Sequence, residues 1–151
     1  MLQVGDTLPK LTLLDDEGEK VNTRDLADQY LVLYFYPKDD TSGCTNEAQQ
    51  FRDALAKFKK KKTTVVGVSR DSVASHQKFK DKYDLNFPLL ADTESKLCDA
   101  AGVIVEKNMY GKKSLGIQRS TFLIDAKGKV VHAWPKVSVE GHAADVLASI
   151  P

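Results

Sequence analysis

The strongest constraint on this chain is a change of period around residue 40. Leu31-Val32-Leu33-Tyr34-Phe35-Tyr36 is continuously apolar, the pattern of a strand covered on both faces. Pro37 ends it, because proline has no N–H for a ladder. After a short polar loop, Ala48, Phe51, Leu55 and Phe58 recur at spacings of three, four and three, one face of a helix beginning near Cys44. Val65-Val66-Gly67-Val68 is a second buried run. Strand, helix and strand in this order make a right-handed βαβ crossover, which requires a parallel sheet with helices against it.

The rest of the chain extends that unit. Leu11 to Leu14, the turn Asp15-Asp16-Glu17-Gly18 and Lys20-Val21 read as an N-terminal β-hairpin. A helix around Phe79 and Tyr83 follows, then a short strand Phe87 to Leu90 and a helix carrying Leu97, Cys98 and Ala101. Ser120 to Asp125 and Val130 to Trp134 flank Ala126-Lys127-Gly128 as a second hairpin, and Ala143, Val146, Leu147 and Ile150 give the last helix its apolar face. The expected fold class is α/β, a mixed sheet parallel in the middle and antiparallel at the end. With 151 residues and no repeat or linker, residues 1–151 are expected to form one domain.

Composition excludes several function classes. The formal net charge is +1, so bulk electrostatics direct the chain to neither nucleic acid nor membrane. The lysine run Lys59 to Lys62 sits where the helix ends and is read as solvated cations at its negative pole. No apolar run approaches the roughly 20 residues that span a bilayer. The first residues lack the pattern of a secretory signal, so a cytoplasmic location is expected. Two cysteines, Cys44 and Cys98, are too few for a disulfide scaffold, and no CxxC or Cys/His cluster at metal-ligand spacing occurs. Their absence argues against a structural zinc site. His76 is read on an exposed helix face, His132 in a strand and His142 near the start of the last helix; their separation in sequence leaves a Cys/His pair open at this point.

In such sheets ligands bind beyond the carboxyl ends of the strands, where loops lead into helices, and Cys44 lies at one of those places. Most free cysteines are small buried hydrophobes. Here the neighbours are Thr41, Ser42, Gly43 and Thr45, a small polar loop, and Gly43 permits close approach. A thiol at a helix start faces unpaired N–H groups and the positive end of the dipole, which favour the reactive thiolate.

Pro37-x-x-x-Thr41-x-x-Cys44 resembles the signature of the peroxiredoxins, thiol peroxidases on a thioredoxin-like fold. The longer run Tyr34 to Ala48, with Asn108-Met109-Tyr110-Gly111 and Arg119-Ser120-Thr121-Phe122-Leu123-Ile124-Asp125, is similar to the bacterioferritin comigratory protein (Q-type) subfamily along nearly the whole chain. The resemblance implies that Cys44 attacks a hydroperoxide and becomes a sulfenic acid. It implies that Thr41 positions the peroxide, that Arg119 stabilises negative charge beside the sulfur, and that Pro37 shapes the pocket. Glu47 would hold Arg119, and Tyr36 and Phe35 would line the pocket. Trp134, Tyr30 and Tyr83 are read as packing residues.

The chain departs from the subfamily at two points. Ser42 stands where a proline is usual, a change that removes no reacting group. The places where relatives carry a resolving cysteine hold Gln49 and Lys80. Three recycling routes stay open: reduction by an external thiol such as glutathione, thioredoxin or glutaredoxin, an internal Cys44–Cys98 disulfide, or pairing between two chains. The first is the leading reading, with a monomer as the expected state; it implies no metal or organic cofactor, and a thiolate stabilised by a helix start and Arg119 needs none of the three histidines as a base. A non-enzymatic redox sensor using Cys44 is the contending function class; a dithiol reductase is disfavoured by the missing CxxC.

Overall fold

The computed structural model describes all 151 residues, the side chain of Met109 excepted. The crossover forms as its periodicity requires. β3 (Tyr30–Phe35) pairs in parallel with β4 (Thr63–Ser69), Tyr34 opposite Gly67, and α1 (Ser42–Lys60) connects them. The helix starts at Ser42, so Cys44 is its third residue. α2 (Val73–Tyr83) carries the chain to β5 (Leu89–Ala91), parallel to β4, somewhat later than the Phe87 start expected.

Antiparallel strands close both flanks of this parallel centre. β1 (Thr12–Asp15) and β2 (Lys20–Asn22) form the N-terminal hairpin, and β1 joins β5. On the other side β8 (Ser120–Asp125) pairs with β3 and then with β9 (Val130–Trp134), giving the order β2-β1-β5-β4-β3-β8-β9. α3 (Lys96–Ala101) follows β5, and α4 (His142–Ala148) ends the chain. β6 (Ile104–Met109) and β7 (Lys112–Ile117) form a separate two-stranded hairpin.

Alternation along β3 sorts the interior into two cores. Val32, Tyr34 and Tyr36 face α1 and α4 and pack with Cys44, Ala48, Phe51, Leu55, Phe58 and Val146. Leu31, Leu33 and Phe35 face the other way and pack with Leu97, Cys98, Ala101, Val103 and Phe122. Phe35 therefore does not line a pocket at Cys44: strand parity sends its ring to the opposite side of the sheet. Tyr30, Tyr83 and Trp134 pack half-buried against the Cys44 side. The lysine run is exposed, and Lys61 Nζ donates to the carbonyls of Leu147 (3.1 Å) and Ile150 (3.3 Å), a cation at the negative end of α4. No helix is long and apolar enough to cross a membrane among the described residues.

Candidate active site

The site follows from where β3 and β8 end. They run antiparallel with Phe35 opposite Ser120, so the chain entering β8 lies beside the chain leaving β3. Arg119, one residue before β8, thus meets the loop that feeds α1. Its Nη2 donates to Cys44 Sγ at 3.2 Å and its Nη1 to Glu47 Oε1 at 2.7 Å. Residues 44, 47 and 119 converge although 72 residues separate the last two.

Cys44 is 1% exposed and both cysteines are free thiols. Thr41 is the residue before the first turn of α1, yet its side chain makes no capping bond. Its hydroxyl donates instead to the Lys38 carbonyl at 2.9 Å, on the exposed rim, which leaves the oxygen's lone pairs free to accept. First-turn amides, the helix dipole and the Arg119 guanidinium therefore direct positive charge at the sulfur. Gly43 is needed for that approach. A Cβ there would lie 3.1 Å from Arg119 Nη2, so what the glycine admits in this structure is the arginine.

Glu47 is fully buried, and burial pushes its carboxyl up to about 7, only partly offset by Arg119. Arg119 itself is raised: burial would lower it, and Glu47 and Cys44 outweigh burial. Glu47 Oε2 and the Tyr34 hydroxyl are the two buried side-chain atoms without a hydrogen-bond partner among the described residues. Tyr34 stacks on Phe51 at 4.8 Å, and its ring lies over Gly67, where a Cβ would come within 2.9 Å.

Pro37 is half-buried at the start of the loop. Tyr36 packs in the same core as Cys44 and turns its hydroxyl to Asp39 Oδ1 at 2.6 Å. His76, read as exposed, is fully buried: Nδ1 contacts Asp39 Oδ2 at 2.7 Å and Nε2 the Leu90 carbonyl at 2.9 Å. The signal for burial was its position three residues before Phe79, on the apolar face of α2. His132 lies in β9, and His142 is the first residue of α4, buried, with Nε2 2.8 Å from Thr121 Oγ1. Lys107, to which no role was assigned, lays its stem across Gly116; burial and then the Arg119 charge lower its ammonium. Its β-hairpin carries no apolar alternation that would mark it.

Cys98 lies in the other core, across the sheet from Cys44. Burial first, then the Asp92 carboxylate that accepts its backbone N–H at 2.7 Å, pushes its thiol well above the ordinary range. Gln49 and Lys80 stand at the two customary second-thiol places, Lys80 paired with Asp16 at 2.9 Å.

Comparison with known proteins identifies the family. The AhpC/TSA family model matches residues 4–133. The chain is 49% identical over 149 residues to the putative peroxiredoxin bcp of Coxiella burnetii, covering 99% of both chains. It is 46% identical to peroxiredoxin Bcp of Bacillus subtilis, covering 99% of this chain and 95% of that one. Among solved structures, Xanthomonas campestris peroxiredoxin Q superposes with a TM-score of 0.88 at 51% identity, over 93% of this chain and 89% of that one. Peroxidoxin BcpB of Mycobacterium tuberculosis gives 0.88 at 33% identity, over 99% and 97%. The fold is thus thioredoxin-like, and the chain belongs to the AhpC/TSA family as a peroxiredoxin of the Bcp, or Q-type, subfamily, a peroxidase that acts on peroxide with a thiol reductant.

Proposed function

We propose that Cys44 is the nucleophile that reduces hydrogen peroxide and organic hydroperoxides, and that an external thiol recycles it. The observation carrying this is the Arg119 guanidinium, bonded to Cys44 Sγ at 3.2 Å and anchored by Glu47 at 2.7 Å. The thiolate attacks one peroxide oxygen, the O–O bond breaks, and the sulfur becomes a sulfenic acid. The departing hydroxide or alkoxide takes a proton and leaves as water or alcohol. Arg119 stabilises the charge that moves from sulfur to the leaving oxygen, which is where a fixed cation contributes most. Thr41, at the rim with lone pairs free, orients the peroxide O–H; Pro37, Gly43 and Tyr36 shape the approach, and Glu47 holds the arginine.

For the return step, one external thiol condenses with the sulfenic acid to a mixed disulfide and water, and a second thiol releases Cys44. Thioredoxin, glutaredoxin and glutathione are the candidate donors. Two features support this one-cysteine cycle over a Cys44–Cys98 bridge. The two sulfurs belong to cores on opposite faces of the central sheet, whereas a disulfide needs Cα atoms within about 7 Å. The Cys98 thiol is also held protonated, which removes its nucleophilic form. We further infer a monomeric, single-domain, cytoplasmic enzyme without a cofactor.

Intact mass after one equivalent of peroxide, without reductant, tests both halves. A gain of one oxygen, mapped to Cys44 and absent from Cys44→Ser, is expected. Loss of two hydrogens would mean that Cys98 resolves the sulfenic acid, and full peroxide turnover by Cys44→Ser would remove the assignment altogether.

A further inference from the structure

The loop between β3 and α1 is tied to α2 by two successive aspartates. Asp40 accepts from Lys82 Nζ at 2.8 Å and from the Tyr83 hydroxyl at 2.5 Å, on the surface. Asp39 is buried; its carboxylate accepts from the Tyr36 hydroxyl (2.6 Å) and the Ser75 hydroxyl (2.7 Å) and lies 2.7 Å from His76 Nδ1. Its backbone N–H donates to Asp71 Oδ2 at 2.8 Å, which also accepts from Ser69 Oγ.

The charge on His76 follows from its partners. Nε2 faces the Leu90 carbonyl, a pure acceptor, so that nitrogen carries hydrogen. Nδ1 faces an Asp39 oxygen that already accepts from Ser75, so the carboxylate needs a hydrogen from the ring as well. With Asp39 ionised, donors on both sides make the ring an imidazolium. The groups facing it are Asp39 from the loop, Tyr36 from β3 at 3.5 Å, Asp71 from the β4–α2 loop and the Leu90 carbonyl of β5; no cation is among them. Burial alone would lower its pKa, but the Asp39 hydrogen bond and charge, with Leu90 and Asp71, outweigh burial and hold it above 6.5. Asp39, Asp71 and His76 lie close enough together to suggest a metal site, but their donor atoms are engaged with one another and with Tyr36, Ser69 and Ser75.

We propose that His76, as an imidazolium bridging Asp39 and the Leu90 carbonyl, is a positioning residue for the peroxidase reaction, fixing the loop that presents Thr41 and the first turn of α1 to the substrate. The proposal rests on the Cys44 reading above. Thr41 is two residues beyond Asp39 and Cys44 three beyond Thr41, so a displaced Asp39 displaces both, and errors of about 1 Å cost up to roughly a hundredfold in such sites. Because the charged form makes the bridge, its contribution is complete at low pH and fades as pH rises through the deprotonation of His76.

The test follows the rate of Cys44 oxidation by hydrogen peroxide from pH 5.5 to 9 in the parent, His76→Ala and His76→Asn, alongside ¹⁵N NMR of the parent's histidine rings. Both His76 nitrogens protonated at pH 6.5 are expected, with His76→Ala about tenfold slower there. His76→Asn keeps one donor toward Asp39, so it should recover most of the rate and lose the fall that accompanies His76 deprotonation. A neutral His76 at pH 6.5, an alanine variant within twofold of the parent, or an unaltered pH profile in the asparagine variant overturns the proposal. If neither variant folds, the parent alone decides, since a rate with no fall through the NMR titration of His76 also overturns it. Peptide mapping separates the two readings: oxygen at Cys44 with unchanged kinetics removes only the His76 role, whereas oxygen elsewhere removes both.

Discussion

Gly43→Ala should lower activity with little net change in stability. Gly43 is the second residue of α1 and its φ is not in the left-handed region, so alanine fits the backbone and gains up to about 1 kcal/mol of helix propensity. For a domain of this size that gain alone is worth roughly 2–4 °C in Tm, and the strain on Arg119 offsets it. The new Cβ, however, sits 3.1 Å from Arg119 Nη2, where ordinary contacts begin at 3.4 Å, so the guanidinium must yield about 0.3 Å (3.4 − 3.1). Arg119 cannot swing freely, because Nη1 is held by Glu47 at 2.7 Å, and the slack comes out of the 3.2 Å bond to the sulfur. A hydrogen bond to a charged group contributes about 1.5–3 kcal/mol, and weakening it by a third to a half costs about 0.5–1.5 kcal/mol. That corresponds to roughly a two- to tenfold slower attack on peroxide. Stopped-flow oxidation of Cys44 with a parallel thermal melt measures both quantities. A variant that melts higher and reacts as fast as the parent would refute the claim that Arg119 acts through this contact.

Three further outcomes are expected. Thr41→Val should slow peroxide reduction at least tenfold with little change in Tm, because the lost hydroxyl is exposed and bonded only to Lys38, and Thr41→Ser should restore most of the rate. Cys98→Ser should leave the one-oxygen mass gain and the rate of Cys44 oxidation unchanged; a changed oxidation product would contradict the one-cysteine cycle. His142 should make the protein acid-sensitive: burial lowers its pKa from 6.5 to about 4, so the unfolded chain binds a proton that the folded one refuses. Its contribution is whole above pH 6.5 and lost as pH falls to about 4, roughly 3 kcal/mol from a shift of about 2.5 units, given that the side chain is only 3% exposed. Denaturant titrations of parent and His142→Gln across that range should differ in slope by the His142 share, because Glu47, raised to about 7, adds the same opposite slope to both.

The parts of this molecule legible in its sequence are those set by local pattern. The β3–α1–β4 unit is written in two apolar runs and one 3.6-residue face, and Cys44 stands where they join. Arg119 was legible only through family resemblance, because its place depends on the register that sets Phe35 against Ser120, which no local pattern records. The β6–β7 hairpin escaped for a different reason. Glu106, Lys107, Asn108, Lys112, Lys113 and Ser114 leave it mostly polar, since a two-stranded ribbon outside the main sheet has little to bury. His76 and Phe35 were misplaced by judging residue type over period. The histidine belonged with Phe79 on the buried face, and the phenylalanine had the wrong strand parity to reach Cys44.

The residues around Cys44 break local rules that most of the chain obeys. Gly43 sits inside a helix, Asp40 holds a left-handed φ of 58°, Glu47 buries a carboxylate with one oxygen unpartnered, and Tyr34 buries an unpartnered hydroxyl. His76 adds a buried imidazole against a carboxylate, and Thr41 forgoes the capping bond its position offers. Each feature costs about 1 kcal/mol or more in isolation, and they cluster on the α1 side of the sheet. A fold selected for stability alone would have an alanine at 43, a capping hydroxyl at 41 and an apolar residue at 47. In each case that choice would fill the space of the guanidinium, remove an oxygen from the rim or free Arg119 from its anchor. The stability forgone at these positions is therefore the counterpart of a sulfur that is buried at a helix start and held beside a cation before any peroxide arrives.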